Sequence, residues 1–148
     1  MSSMRFSLLL LMLLLSGCAS AGSWVELGGQ RYQVEVADDD AERARGLMFR
    51  DELAAGTGMI FLHDRQEPQA YWMKNTKIPL DILYFDNARK LVAQQRDVPP
   101  CSAGDSCPSY PSNVPARYVL ELNAGEAAKL KLQNGAELKF SDGIPKLP

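Results

Sequence analysis

Arg31-Tyr32-Gln33-Val34-Glu35-Val36 alternates polar and apolar residues, the period-two pattern of a strand with one face on a core and the other in water. Downstream, Met59-Ile60-Phe61-Leu62 and Ala70-Tyr71-Trp72-Met73 read as buried strands separated by a charged turn at His63 to Pro68. Ile82-Leu83-Tyr84-Phe85 and Lys90 to Val98 flank Asp86-Asn87-Ala88-Arg89, which reads as a hairpin turn. Tyr118 to Leu122 and Ala136 to Phe140 complete the series. Helix signals are few. Asp38-Asp39-Asp40 offers an N-cap and a charge favourable to the helix dipole ahead of Ala41 to Phe49, with Gly46 as a break, and Ala124 to Leu132 is a second short helix. Many short strands with so little helix predict a mostly β fold, a compact single-domain sandwich or jelly-roll-like barrel with one or two short helices.

The 148 residues suit one domain, and 23% charged against 46% hydrophobic residues is the balance of a chain that folds. Sixteen Lys and Arg against eighteen Asp and Glu leave a formal charge of -2, so nothing electrostatic draws the chain onto nucleic acid.

At the N-terminus Arg5 precedes an unbroken apolar run, Leu8 to Leu15, followed by small residues, the pattern of a secretory signal peptide. The run is far shorter than the ~20 residues needed to span a bilayer. Leu15-Ser16-Gly17-Cys18 resembles the bacterial lipobox, which implies cleavage before Cys18 and acylation of its thiol and new amine. Several acyl chains make such an anchor effectively permanent. Residues 1–17 are thus expected to be a signal peptide, 18–29 a lipidated tether, and 30–148 the single β-rich domain. Ala19, where an Asp would resemble an inner-membrane retention signal, favours the outer membrane, with the domain facing the periplasm. Cleavage removes Arg5 alone among the charges, leaving 15 cations against 18 anions, or -3.

Cysteine usage agrees with export. With lipid on Cys18, Cys101 and Cys107 remain as an even pair in the Pro-, Gly- and Ser-rich stretch 99–112, read as a surface loop pinned by a disulfide. Their spacing suits neither a zinc pair nor a Cys-x-x-Cys redox motif.

Trp72-Met73-Lys74-Asn75-Thr76-Lys77-Ile78-Pro79-Leu80-Asp81 sets large apolar groups beside a cation, an amide, a hydroxyl and a carboxyl. Together with Arg45-Gly46-Leu47-Met48, Gly58-Met59, Tyr118-Val119-Leu120-Glu121, Gly125 and Gly135, in this order and spacing, the chain resembles the domain-of-unknown-function family 192 over about residues 30 to 140. The resemblance implies a compact β-rich, jelly-roll-like sandwich, often exported and sometimes lipid-anchored, and almost nothing about activity. Asn87-Ala88 stands where relatives often have a turn Gly, and His63 lies outside the shared pattern.

Three functional readings compete. In the first, Arg45, Lys74 and Asn75 converge on a pocket floored by Trp72 and Met73, with Asp81 and Glu121 nearby, making a non-catalytic binding module for a small anionic or sugar-like ligand or an envelope partner. The plain alternative is that Lys74-Asn75-Thr76 ends a strand, with Asp81 or Glu121 pairing Lys74 or Arg45 in a buried ion pair. In the second, Asp81 and Glu121 are paired acid and base carboxyls of an enzyme, although no nucleophile motif accompanies them. In the third, Met48, Met59, Met73 and His63 handle copper, since thioethers suit Cu(I), against the ordinary use of Met as core filler. No cofactor is expected. The expected partners are the membrane, through the Cys18 lipid, and a small ligand or envelope protein, with the chain a monomer.

Overall fold

The alternation at Arg31–Val36 becomes strand β2 (Gln30–Ala37), which turns Tyr32 and Val34 inward and leaves Arg31, Gln33 and Glu35 exposed. The computed structural model describes residues 22–148, so the expected signal peptide, Cys18 and the first part of the expected tether lie outside the described residues. The other strands are β1 (Trp24–Leu27), β3 (Thr57–Trp72), β4 (Leu80–Phe85), β5 (Leu91–Val98), β6 (Ser109–Asn123) and β7 (Leu138–Phe140). Two short helices, α1 (Asp40–Arg45) and α2 (Glu126–Lys129), join them.

The fold is mostly β, as the pattern of short strands predicted. One seven-stranded sheet in the order β5-β4-β6-β3-β2-β1-β7 curls into a half-barrel. Its edge strands meet at one corner, where Lys90 bridges Glu137 and the amides of Leu91 and Leu138 donate to Ala136 and Arg89 carbonyls, each at 2.9 Å. Pairing is antiparallel except between β2 and β3, which run parallel because α1 carries the crossover.

Period-two alternation sorts side chains onto two cores. The concave face holds Val25, Leu27, Ile60, Leu62, Leu83, Phe85, Leu120 and Leu122, closed by Ala127 of α2 and Ile144 of the tail. The convex face holds Met59, Phe61, Ile82, Tyr84 and Val119, covered by Leu47, Met73 and Ile78 from the segments that follow α1 and β3.

Several elements differ from the sequence reading. Trp24–Leu27, expected in the tether, is strand β1, pairing with both β2 and β7 and burying Val25 and Leu27 completely. The charged stretch His63–Pro68 is no turn: β3 runs through it, paired to β6, with register shifts between Leu62/Glu67 and Pro68/Ala70 absorbing the extra residues. Polarity there marks exposure of a ribbon beyond the barrel, not chain reversal. Ser109 to Ser112, read as loop, begins β6. Pro111 and Pro115 are tolerated because β4 pairs with β6 only from Tyr118 to Asn123, so the earlier part of β6 has one edge free. Helix α1 starts as expected, Asp39 Oδ1 accepting from the Glu42 amide at 2.8 Å, but stops at Arg45 because Gly46 takes φ 45°. The second helix shrinks to Glu126–Lys129.

Candidate functional site

The Trp72–Asp81 string leaves the sheet at the end of β3. Trp72 is 41% exposed and Met73, on the other side of the pleat, is buried in the convex core. Lys74-Asn75-Thr76 then turns, with Asn75 at φ 54° and the Thr76 amide donating to Met73 O at 2.9 Å. Asn75 O accepts from the amide of Phe49, itself at φ 65°, and Thr76 O accepts from the Cys101 amide at 3.2 Å. The turn is therefore clamped between the segment after α1 and the loop before β6. Cys101 and Cys107 are disulfide-bonded, with Cα atoms 5.9 Å apart, and fix that loop against the turn. Lys74 Nζ pairs with Asp105 of the same loop and lies 4.8 Å from the centre of the Trp72 ring. Asn75 instead borders an apolar depression of about 450 Å³ with Phe49, Pro100 and Cys101.

A second depression, about 430 Å³, opens between α1 and the outer part of β3. Asp40, Arg43, His63, Asp64, Arg65 and Glu67 supply its polar lining, and Tyr71 and Trp72 its aromatic one. Arg43 is already occupied: its guanidinium donates to the carbonyls of Asp38 and Leu62 at 2.8 and 2.7 Å and to Asp40 Oδ1 at 2.6 Å. His63 Nε2 and the Tyr71 hydroxyl share a hydrogen bond of 2.9 Å, and burial, with Arg43 nearby, pulls the imidazole below its ordinary pKa. Tyr71 meets Phe61 edge-on at 5.1 Å and Tyr84 at 6.1 Å, making a stiff aromatic wall.

Beneath this cleft lies a smaller cavity of about 40 Å³. It shares Arg43, Ala44, Tyr71 and Trp72 with the cleft and adds Arg45, Leu47, Met48, Phe61, Thr76 and, at its floor, Glu121. Glu121 sits in mid-sheet on β6, opposite Met59 and Ile82, and is 4% exposed. Among the described residues its carboxyl has no hydrogen-bond partner, while no fully sealed side-chain oxygen or nitrogen there lacks one. Burial pushes the Glu121 pKa up to about 8, so the group is protonated near neutrality. Burial first, and Glu121 next, also push the Tyr71 and Tyr84 phenols far above their usual range.

The residues singled out from sequence are thus divided. Trp72, Arg45 and Glu121 reach the cleft or its floor, Met73 packs in the core, and Lys74 and Asn75 face the disulfide loop. Neither Lys74 nor Arg45 pairs with Asp81 or Glu121. Asp81 is fully buried on the concave side, accepting from the amides of Asp97 at 2.9 Å and Ala127 at 2.8 Å. It cannot act with Glu121, because Asp81 faces Leu122 while Ile82 faces Glu121, which sends the two carboxyls to opposite faces. Met59 and Met73 pack into the convex core, Met48 borders the small cavity and His63 lines the cleft. Among the described residues no three His, Cys, Asp or Glu side chains gather as a metal site. Arg43 and Tyr71 escaped the sequence reading as site residues, and His63 entered it only as a candidate copper ligand. Tyr71 is separated from Met73 by one residue of an alternating run, the signal that they share a wall, whereas nothing local brings His63 to it.

The family model DUF192, described as Uncharacterized ACR, matches residues 23–140. A protein of unknown function from Novosphingobium aromaticivorans DSM 12444 is 34% identical over 78% of this chain and 83% of its own, with a TM-score of 0.72. A protein of Sinorhizobium meliloti 1021, described as a candidate transcription regulator, is 33% identical over 82% of this chain and 95% of its own, with a TM-score of 0.74. A search of curated proteins finds no match.

Proposed function

The chain belongs to the DUF192 family of uncharacterised proteins, and on that footing we propose that it is a lipid-anchored envelope protein whose domain is a non-catalytic binding module for a small sugar-like ligand. The observation that carries this is the cleft between α1 and β3, which sets the exposed face of Trp72 and the Tyr71 wall beside polar groups of both signs. Its lining holds Asp40, Asp64 and Glu67 against Arg43 and Arg65, and Arg43 is spent on neighbouring oxygens. Such a lining repels an anion and suits a neutral polyhydroxyl molecule, whose hydroxyls both donate and accept while its ring stacks on an aromatic face.

The envelope part of the proposal rests on sequence and on the disulfide. Cys101 and Cys107 bond to each other, which leaves Cys18, in its lipobox-like setting, as the remaining thiol of the three. Labelling with radioactive palmitate should mark the wild type and not Cys18→Ala, and the variant should leave the membrane fraction. An unlabelled wild type would end the lipoprotein reading.

Binding is tested with methyl β-D-glucoside as probe, on protein purified from a bacterial envelope, in a Trp24→Phe background so that Trp72 is the remaining indole. Trp24 is the right one to remove because it lies under the Arg31 guanidinium, 4.0 Å away, and is not among the residues that line the cleft. Emission should shift with added sugar, and Trp72→Ala should lose binding with melting temperature unchanged. Unmoved emission and unmoved amide resonances around the cleft at 50-fold molar excess and above would reject the site.

A further inference from the structure

We propose that Glu121 is the specificity-determining residue of this site, its carboxyl hydrogen-bonding a hydroxyl on a short arm of the ligand that enters the small cavity while the ring stays in the cleft above. The inference rests on the cleft reading and deepens it. Three features of the molecule point to it. The cavity of about 40 Å³ adjoins the cleft, the two sharing Arg43, Ala44, Tyr71 and Trp72 as walls. A water needs roughly 10–15 Å³ of such space, so the cavity has room for about one small polar group and not for a ring. The Glu121 carboxyl that lines it belongs to a side chain only 4% exposed and makes no side-chain hydrogen bond among the described residues, where no fully sealed polar side-chain atom lacks a partner.

The chemistry of the walls selects the group. Phe61, Leu47 and Met48 give the cavity an apolar side, while Arg43, Arg45, Thr76 and Glu121 make the larger share of its surface polar, so an arm that enters must hydrogen-bond there. A protonated carboxyl offers one donor and spare acceptors, the complement of a hydroxyl, and the contact buries no net charge. The titratable and charged groups that face Glu121 are Tyr71 from β3, Tyr84 from β4, and Arg43 and Arg45 from α1 and its end. Both phenols are held far above their ordinary range, and the nearby His63 is held below its own, so none of these three changes charge between pH 7 and 9. Glu121 does, with its value of about 8.

The test compares methyl β-D-glucoside with methyl β-D-xyloside, the same ring without its hydroxymethyl arm, by Trp72 emission and amide shifts in the wild type, Glu121→Gln and Glu121→Leu. At pH 7 the wild type should prefer the glucoside by about five- to tenfold, the worth of one well-made hydrogen bond. That preference should persist to pH 9 in the wild type, because the ligand hydroxyl can donate to the ionised carboxylate, and should persist in Glu121→Gln, whose amide donates and accepts. Glu121→Leu fills the cavity, and the two sugars should then bind alike. If both bind and the preference is absent, or survives unchanged in Glu121→Leu, the cavity holds only water and the inference fails while the cleft reading stands. If neither sugar moves any cleft signal, both fall together.

Discussion

Asp81 and Glu121 lie on neighbouring strands one register step apart, and their carboxyls leave the sheet in opposite directions. Asp81 plugs the concave side, joining the irregular Asp97, at φ 51°, to the first turn of α2. Glu121 bonds to no described side chain and faces a void. Two carboxyls that look equivalent in sequence are therefore a structural clasp and a buried acid that lines a cavity.

The clasp makes the first prediction. Asp81→Ala strands two backbone donors, one of them fully buried at Ala127, and each costs about 1–3 kcal/mol. Urea denaturation should show a loss of about 3 kcal/mol with the slope unchanged, and Asp81→Asn a smaller one because an amide oxygen still accepts. A midpoint within error of the wild type for Asp81→Ala would contradict the clasp.

Glu121 should behave in the opposite way. Its folded pKa of about 8 exceeds the ordinary 4.5, so between those values the unfolded chain releases a proton that the native state keeps. Stability through this group is complete below about pH 4.5, declines at up to ~1.4 kcal/mol per pH unit, and levels off above about 8. Glu121→Gln carries no such term. The stability of Glu121→Gln minus that of wild type should therefore climb from pH 5 to 8, a difference that cancels the surface carboxyls and His63. A flat difference would mean that the carboxyl is solvated in the native state.

Much of this architecture is legible in the chain. Period-two alternation found β2, an apolar run ahead of a turn found β4, Asp39 and Gly46 bounded α1, and the odd cysteine count anticipated the bond between Cys101 and Cys107. What failed were the places where polarity and backbone geometry part company. Asp64 to Gln66 bulge out between the Leu62–Tyr118 and Glu67–Ala116 pairs of β3 and β6, which hold the chain in the sheet on either side of them, and Trp24–Leu27 is a strand only because β2 and β7 flank it. The site was half visible: Trp72 and Glu121 stand out as an aromatic and an acid in apolar runs. Lys74 and Asn75 misled, because a left-handed turn at Asn75 swings both toward the disulfide loop, a rotation that residue type does not announce.

That loop supplies a further prediction. In the chain-entropy account a bridge spanning 6 positions contributes about 2 kcal/mol. Replacing both cysteines with Ser should lower stability by roughly that amount. It should also speed hydrogen exchange at the Cys101 position, whose amide is bonded to Thr76 O, and leave exchange in β2 unchanged. Uniform acceleration across the sheet would show that the bridge secures the whole fold, not the turn.

Gly58 tests how tightly β3 and β6 must approach beside the cavity. A Cβ built there would lie 2.6 Å from the Glu121 carbonyl oxygen and 2.7 Å from Leu122 Cδ2, closer than real contacts allow, so Gly58→Ala must push the two central strands apart. Overpacking of this kind costs about 1–3 kcal/mol. Gly56, two residues earlier, has φ 74° but open space around it, so Gly56→Ala meets conformational strain alone, about 1 kcal/mol. The two variants should also differ in reach. Gly58→Ala displaces the backbone of Glu121 and should shift the amide resonances of Tyr71 and Leu47 across the cavity, whereas Gly56→Ala should disturb only its own turn. Equal, purely local effects would show that the strand spacing at Glu121 is loose, and that the cavity's size is not set by the sheet.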